Sequence, residues 1–224
     1  MIEVVSATRL PERDFWTRSA LGVSLRRLAH DVRLVAHIAF RNKLGLPDIY
    51  NSRIGAADSH DQLVFTHDDV WIDDYFLADR IIAGLQTYDV VGVAGNRRRV
   101  ERQPSWIFVD NGITWDDKAN LSGSVAHGPR PFGPITFYGA VPADCELLDG
   151  VFLAANRSAL TAKDVLFDPQ FDFHFYDVDF CRSARQRGLR LGTWPICLTH
   201  QSSGAFGTKR WTDKYQAYIA KWGT

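Results

Sequence analysis

The chain has 224 residues, 46% of them hydrophobic and 23% charged, enough for one sizeable core or two small domains packed together, with the composition of a soluble globular protein. Lys plus Arg equals Asp plus Glu at 26 each, so no global field recruits nucleic acid or an acidic membrane. The three cysteines, Cys145, Cys181 and Cys197, are far apart, odd in number and without metal-ligand spacing. That points to small buried residues in a reducing compartment rather than a disulfide frame. No apolar run approaches a membrane span, and strand-like sequence from Ile2 leaves no room for a signal peptide. The expected location is cytoplasmic, with peripheral association at the inner face of the membrane left open.

In chain order, Ile2 to Ala7 reads as a strand, followed by the polar turn Thr8-Arg9 and Pro11. Leu21, Leu25 and Leu28 form one stripe of a helix predicted over 12–28. A strand over 32–40, a helix over 47–57 entered through Pro47, and a buried strand at Leu63-Val64-Phe65 come next. Leu77, Ile81 and Leu85, four apart, predict a helix over about 74–85, and Val90 to Ala94 a further strand. This alternation predicts parallel strands joined by right-handed crossovers. Periodicity fades over 95–142, where Arg97-Arg98-Arg99 and Arg102 read as a solvated loop rather than an anion site. Trp106 and Trp115 there read as platforms for a sugar ring or as loop anchors. Residues 147–155 read as a strand interrupted at Asp149-Gly150. A helix is predicted over 179–187, stopped by Gly188. Residues 189–194 and 196–198 are strand-like. Trp211, Tyr215, Tyr218 and Trp222 share one face of a terminal helix, which reads as core packing.

The apolar run at Leu63 leads through Thr66 into His67-Asp68-Asp69. If the strand persists, alternation points His67 and Asp69 one way and Asp68 the other. A carboxylate and an imidazole at the carboxyl end of a central strand make a corner for a divalent metal, on the edge where open α/β sheets bind ligands. Asp73 and Asp74 read instead as caps of the following helix. Asp177-Val178-Asp179 and His200 close other apolar elements in the same manner.

Taken in order, these landmarks resemble the GT-A glycosyltransferases, particularly the inverting group called family 2, over nearly the whole chain. VFTHDDV stands at the place of that family's Asp-x-Asp-type motif. LDGVFLAANRS matches its glycine-rich strand followed by Arg-Ser, and Phe167-Asp168-Pro169-Gln170-Phe171 its following turn. YDVDFCRSARQRGLRL matches the Glu-Asp-x-Asp signature that leads into an Arg-containing helix ending in Gly. Two departures matter: His67 replaces the first acid of the metal motif, and Tyr176 replaces the glutamate of the Glu-Asp pair.

The resemblance implies an α/β fold with a Rossmann-like, mostly parallel central sheet flanked by helices and a smaller antiparallel acceptor-side portion. It implies one domain: a nucleotide-binding half over 1–94, an insertion of recognition loops over 95–142, and a catalytic and acceptor half over 143–224. The implied activity moves a sugar from a UDP- or GDP-type donor to an acceptor hydroxyl with inversion. Asp69 is then the principal ligand of Mn²⁺ or Mg²⁺, with His200 and His67 beside it. Asp177 is left as the only general base, on a helix capped by Asp179. Thr8, Arg9, Asn42, Lys43, Asn51 and Asp68 would contact the nucleotide sugar, and Asp149, Gly150 and Trp106 the donor sugar or the acceptor. The acceptor could be a saccharide, a lipid-linked sugar or a protein. Two other readings use the same residues: a metal-dependent phosphate-ester hydrolase or nucleotidyltransferase, and a binding module without turnover, of which His67 and Tyr176 would be the marks.

Overall fold

Short runs rich in Val, Ile, Leu and Phe form the buried strands, and amphipathic segments between them form the covering helices. A computed structural model describes residues 1–202, 204 and 206–223. The chain runs β1 (Ile2–Ala7), α1 (Glu12–Arg18), α2 (Ala20–Arg27), β2 (Leu34–Ala39), α3 (Leu46–Gly55), β3 (Gln62–Thr66), β4 (Val70–Ile72), α4 (Leu77–Thr87), β5 (Val90–Gly92) and β6 (Ala94–Asn96). It continues through a short 3₁₀ turn (Lys118–Asn120) to β7 (Leu121–His127), β8 (Ile135–Gly139), β9 (Ala143–Asp144), β10 (Leu147–Leu148), β11 (Phe152–Asn156), α5 (Arg157–Ala162), α6 (Tyr176–Gln186), β12 (Leu191–Thr193), β13 (Leu198–His200) and α7 (Lys209–Trp222).

Seven strands make the main sheet in the order β2-β1-β3-β11-β5-β12-β9. β1 is parallel to β2 and β3, and β12 is parallel to β5. β11 is antiparallel to both β3 and β5, so those two run the same way. The predicted mostly parallel sheet is therefore present, with β11 reversed near its middle and β9 reversed at one edge. The reversal of β11 matters for the site, because it carries the amino end of that strand to the edge where the parallel strands end. A second sheet, β10-β6-β7-β13-β4 with β8 on β7, packs beside the first. One core of buried apolar residues, from Ile2 to Tyr218, draws on both sheets. Among the described residues no helix is long and apolar enough to cross a membrane.

Several local expectations are corrected. The helix predicted over 12–28 is two helices, broken where the Ser19 hydroxyl caps α2 by accepting from the Gly22 N–H. The strand predicted over 90–94 splits at Val93, with β5 in the main sheet and β6 in the second. Residues 147–155 are interrupted at Asp149-Gly150 as expected, with β10 in the second sheet and β11 in the main one. Within 95–142 a β-hairpin, β7 with β8, forms where no strand was predicted, because β7 buries Ser and Gly instead of alternating apolar residues. Ser122 is fully buried and its hydroxyl meets the Thr193 hydroxyl at 2.6 Å. Gly123 has φ +101°, and a Cβ there would lie 2.0 Å from the Val93 carbonyl, so only glycine fits this bulge.

Asp73 does not cap α4: its Oδ2 accepts from the Phe132 N–H at 3.1 Å and from the Thr199 hydroxyl, joining β4 to β13 and the hairpin loop. Asp74 accepts from the Phe76 N–H, one residue before the helix. Cys145 and Cys181 are buried, but Cys197 is exposed. Arg98 pairs with Asp116 and clamps the insertion to itself. The aromatic face of α7 packs inward, with Trp211, Tyr215 and Tyr218 buried. All three rings lie against Phe175, at centroid distances of 5.4 to 5.8 Å.

Candidate active site

Because β1, β2 and β3 are parallel, their carboxyl ends share one edge, and the loops leaving them line one opening. Thr8 and Arg9 follow β1, Asn42 and Lys43 follow β2, and His67-Asp68-Asp69 follows β3. The amino end of antiparallel β11 brings Asp149 and Gly150 to the same place. Two adjoining cavities of about 1040 and 740 Å³ occupy this edge, sharing Ala7, Leu46, Asp68, Asp69 and Phe173.

β3 stops at Thr66 and β4 starts at Val70, so His67, Asp68 and Asp69 sit in the bend between two strands of different sheets. β13 pairs with β4, setting His200 opposite Val70, and the Gln201 N–H donates to the Asp69 carbonyl at 3.0 Å. His67, Asp69 and His200 each offer a ligand atom within 4.8 Å of the others. Asp69 Oδ1 is sealed from solvent without a hydrogen-bond donor. It faces His200 Nε2 at 3.4 Å and His67 Nδ1 at 4.0 Å. Burial would raise the Asp69 carboxyl, but contact with His200 and the charge of His67 hold it down at about 2. Burial pushes the His67 imidazole down to about 4.

Tyr176 decides which nitrogen of His67 faces Asp69. Its hydroxyl donates its one hydrogen to the Gly150 carbonyl at 2.7 Å, so at His67 Nε2, 2.8 Å away, it must accept. His67 therefore carries its proton on Nε2 and turns a lone pair on Nδ1 toward Asp69. One hard carboxylate oxygen with no donor, one imidazole lone pair so oriented and a second imidazole form a donor set that fits Mn²⁺, or less readily Mg²⁺. The residue that departs from the Glu-Asp pattern is thus a support for the residue that departs from the Asp-x-Asp pattern.

Asp177 lies in the first turn of α6, which begins at Tyr176, three residues before the predicted start. Phe175, in front of it, is held at φ +68°, a conformation a non-glycine residue keeps only when its surroundings enforce it. The aromatic face of α7 does so. Asp179 does not cap this helix; it sits inside it, fully buried, accepting from the Trp222 indole N–H at 2.8 Å and pairing with Lys221 at 2.7 Å. Asp179 thereby ties α7 to α6. The Gly150 N–H donates to Asp177 Oδ2 at 3.0 Å. A Cβ on Gly150 would lie 2.4 Å from the Tyr176 hydroxyl and 2.7 Å from Asp177 Cβ, so glycine is required by this approach. Burial, and then the neighbouring Asp149 charge, push the Asp177 carboxyl up to about 6. Burial raises Asp149 as well.

Asp69 lines both cavities; His67, His200, Asp149, Gly150, Asp177 and Trp106 line the smaller one. Thr8, Arg9, Asn42 and Lys43 line the larger, and Asp68 lines both. Asn42 already spends its side chain on Leu44, accepting from its N–H and donating to its carbonyl. Asn51 is a correction: it lines neither cavity, and its carboxamide is consumed by the backbone of Phe167 at 2.7 and 2.9 Å. The sequence reading missed Arg18, Arg41 and Arg210, which line the larger cavity from three separate segments. No local pattern marks them. It also missed Tyr138 and His127 in the smaller cavity, since they come from the unpredicted hairpin.

No family model matches the chain, and no curated protein matches its sequence. Solved structures do match its fold. GalNAc-T7 with UDP, GalNAc and Mn²⁺ aligns over 98% of this chain and 47% of its own, at 11% identity and a TM-score of 0.54. A point mutant of Drosophila β1,4-galactosyltransferase 7, with manganese, UDP-Gal and xylobiose, aligns over 95% of this chain and 79% of its own, at 9% identity and a TM-score of 0.51. S. aureus TarS 1-349 aligns over 98% of this chain and 64% of its own, at 12% identity and a TM-score of 0.50. The chain thus spans about half of the GalNAc-T7 chain and under two thirds of the TarS one. The strand order, the reversed β11 and these alignments agree that the chain has the GT-A fold of glycosyltransferase catalytic domains.

Proposed function

We propose that this chain is a glycosyltransferase that moves a sugar from a UDP- or GDP-type donor to an acceptor hydroxyl with inversion, with Asp177 as general base and Asp69, His67 and His200 as ligands of Mn²⁺ or Mg²⁺. The observation that carries the reading is the meeting of these four residues around one cavity, beside a second cavity lined by cations. They come from three regions far apart in the chain. The matched folds that hold UDP and manganese support the same donor type and ion.

When bound, the ion supplies positive charge against the negative charge gathering on the leaving diphosphate. The rest falls to the chain. Arg9 and Lys43 lie where the larger cavity would receive the nucleotide and its phosphates. His67, locked by Tyr176, presents its lone pair without rearrangement. Asp177 accepts the proton of the acceptor hydroxyl; raised to about 6, it is a stronger base than a free carboxylate and still ionised at neutral pH. Gly150 holds its Oδ2 in place. With Asp177 taking the acceptor's proton as general base, the displacement is direct and the anomeric centre inverts.

The test is a panel of UDP- and GDP-sugars incubated with the purified chain, with Mn²⁺ or with EDTA, followed by nucleoside diphosphate release. Metal-dependent release from one donor type is expected. Nucleoside monophosphate release or pyrophosphate exchange would favour phosphate-ester or nucleotidyl chemistry, and metal-dependent nucleotide binding with no release from any donor would favour the binding module.

A further inference from the structure

The two cavities differ in charge, and that difference bears on the acceptor. The larger is lined by Arg9, Arg18, Arg41, Lys43 and Arg210. Among the described residues no Lys or Arg lines the smaller one, whose floor holds two carboxylates, Asp149 and Asp177. An ionised carboxylate only accepts hydrogen bonds, so this floor engages a ligand rich in hydroxyl donors. A phosphate or uronate entering the same space would be desolvated beside like charges, with no Lys or Arg on the wall to pair it and the ion, when bound, engaged by the donor diphosphate.

The walls supply the rest of a sugar site. Trp115 is 50% exposed, with its ring against Tyr138 at 5.9 Å. Phe206 is 40% exposed and meets Phe108 edge-on at 5.0 Å. Tyr138 and Phe108 are themselves buried, so each outer ring packs on an inner one and stays partly exposed where it lines the cavity. Rings held this way offer flat apolar surface to the C–H face of a pyranose.

We infer that the smaller cavity takes an acceptor ending in an uncharged sugar ring, stacked on Trp115, and rejects acceptors whose terminal unit carries a phosphate or a carboxylate. This rests on the transferase reading above.

The test measures binding to the whole chain by saturation-transfer NMR and calorimetry, with UDP or GDP and Mn²⁺ present. The probes are xylobiose, cellobiose and chitobiose, against disaccharides ending in glucuronate or glucose 6-phosphate. At least one neutral probe is expected to bind ten times more tightly than every charged one. Trp115→Ala should weaken that binding about three- to tenfold and Trp115→Phe should restore most of it; thermal melts in the same samples report folding. The proposal is overturned by equal or tighter binding of a charged probe, by binding of no neutral probe, or by unchanged affinity in folded Trp115→Ala. Neutral-sugar selectivity without any nucleotide binding would uphold the sugar site and sink the transferase reading. Metal-dependent nucleotide binding with a preference for charged glycans would do the reverse.

Discussion

Replacing Tyr176 by phenylalanine removes one oxygen and tests how the metal corner is built. The hydroxyl lies 2.8 Å from His67 Nε2 and 2.7 Å from the Gly150 carbonyl. The ring contacts to Tyr50 and Phe167, each at 6.0 Å, survive the change. Two neutral hydrogen bonds at about 0.5–1.5 kcal/mol each put the loss of stability at about 1–3 kcal/mol. The larger effect falls on His67, whose ring is no longer held with Nε2 protonated and Nδ1 toward Asp69. Losing such a support typically weakens a metal site about 10- to 100-fold, or about 1.4–2.7 kcal/mol. Calorimetric titration of Mn²⁺ into the parent and the Tyr176→Phe chain, with UDP present and then with UDP alone, reads this directly. Mn²⁺ affinity should fall by that factor while metal-free UDP affinity stays put. A folded variant binding Mn²⁺ within twofold of the parent would show that His67 Nδ1 is not a ligand or that Tyr176 does not orient it.

Other expectations follow from the same geometry. Asp177→Asn should lower transfer about 10²–10⁴-fold with nucleotide affinity retained; undiminished turnover would remove Asp177 from the base role. Its folded carboxyl sits at about 6 against an ordinary 3.8, so the unfolded chain releases this proton first as pH rises, and the folded state loses up to about 3 kcal/mol between pH 4 and 6. Urea melts at pH 4 and 7 should therefore show Asp177→Asn near parity at the lower pH and more stable than the parent at the higher. For the same reason the parent's transfer rate should drop as pH falls through about 6. Gly150→Ala forces a methyl to within 2.4 Å of the Tyr176 hydroxyl; an overpacking cost of about 1–3 kcal/mol and a lower rate are expected, read by melts and donor turnover. Asp179→Ala strands the Trp222 indole N–H and leaves Lys221 paired with Asp168 alone, and should destabilise the chain by about 1–3 kcal/mol; unchanged hydrogen exchange in α7 would count against the tie between the helices.

Much of the site could be read from the linear order of residues. An apolar run ending in His67-Asp68-Asp69 announces a strand whose carboxyl end carries candidate ligands, because strand burial and the chain's exit from it depend on residues only a few places apart. The same holds for the alternation over the first 94 residues and for the aromatic face of α7. Where expectations failed, a distant partner had overruled a local preference. Asp179 looks like a helix cap until Lys221 and Trp222 arrive from 42 and 43 residues away. Asn51 looks like a ligand contact until Phe167 claims both ends of its amide. Ser122 and Gly123 hide a strand because their burial is satisfied by Thr193 and by a close pass of Val93.

By itself, then, the order of amino acids determined most strands of the main sheet, β9 excepted, and the residues at the end of β3, since period and apolarity act over a handful of positions. Tertiary structure alone decided that Tyr176 supports His67 across 109 residues, that a reversed β11 delivers Gly150 to Asp177, and that five Lys and Arg side chains line one cavity while, among the described residues, none lines the other. Those facts depend on how strands are ordered and sheets packed, where contacts between distant residues are won through burial and shape that no stretch of sequence carries on its own.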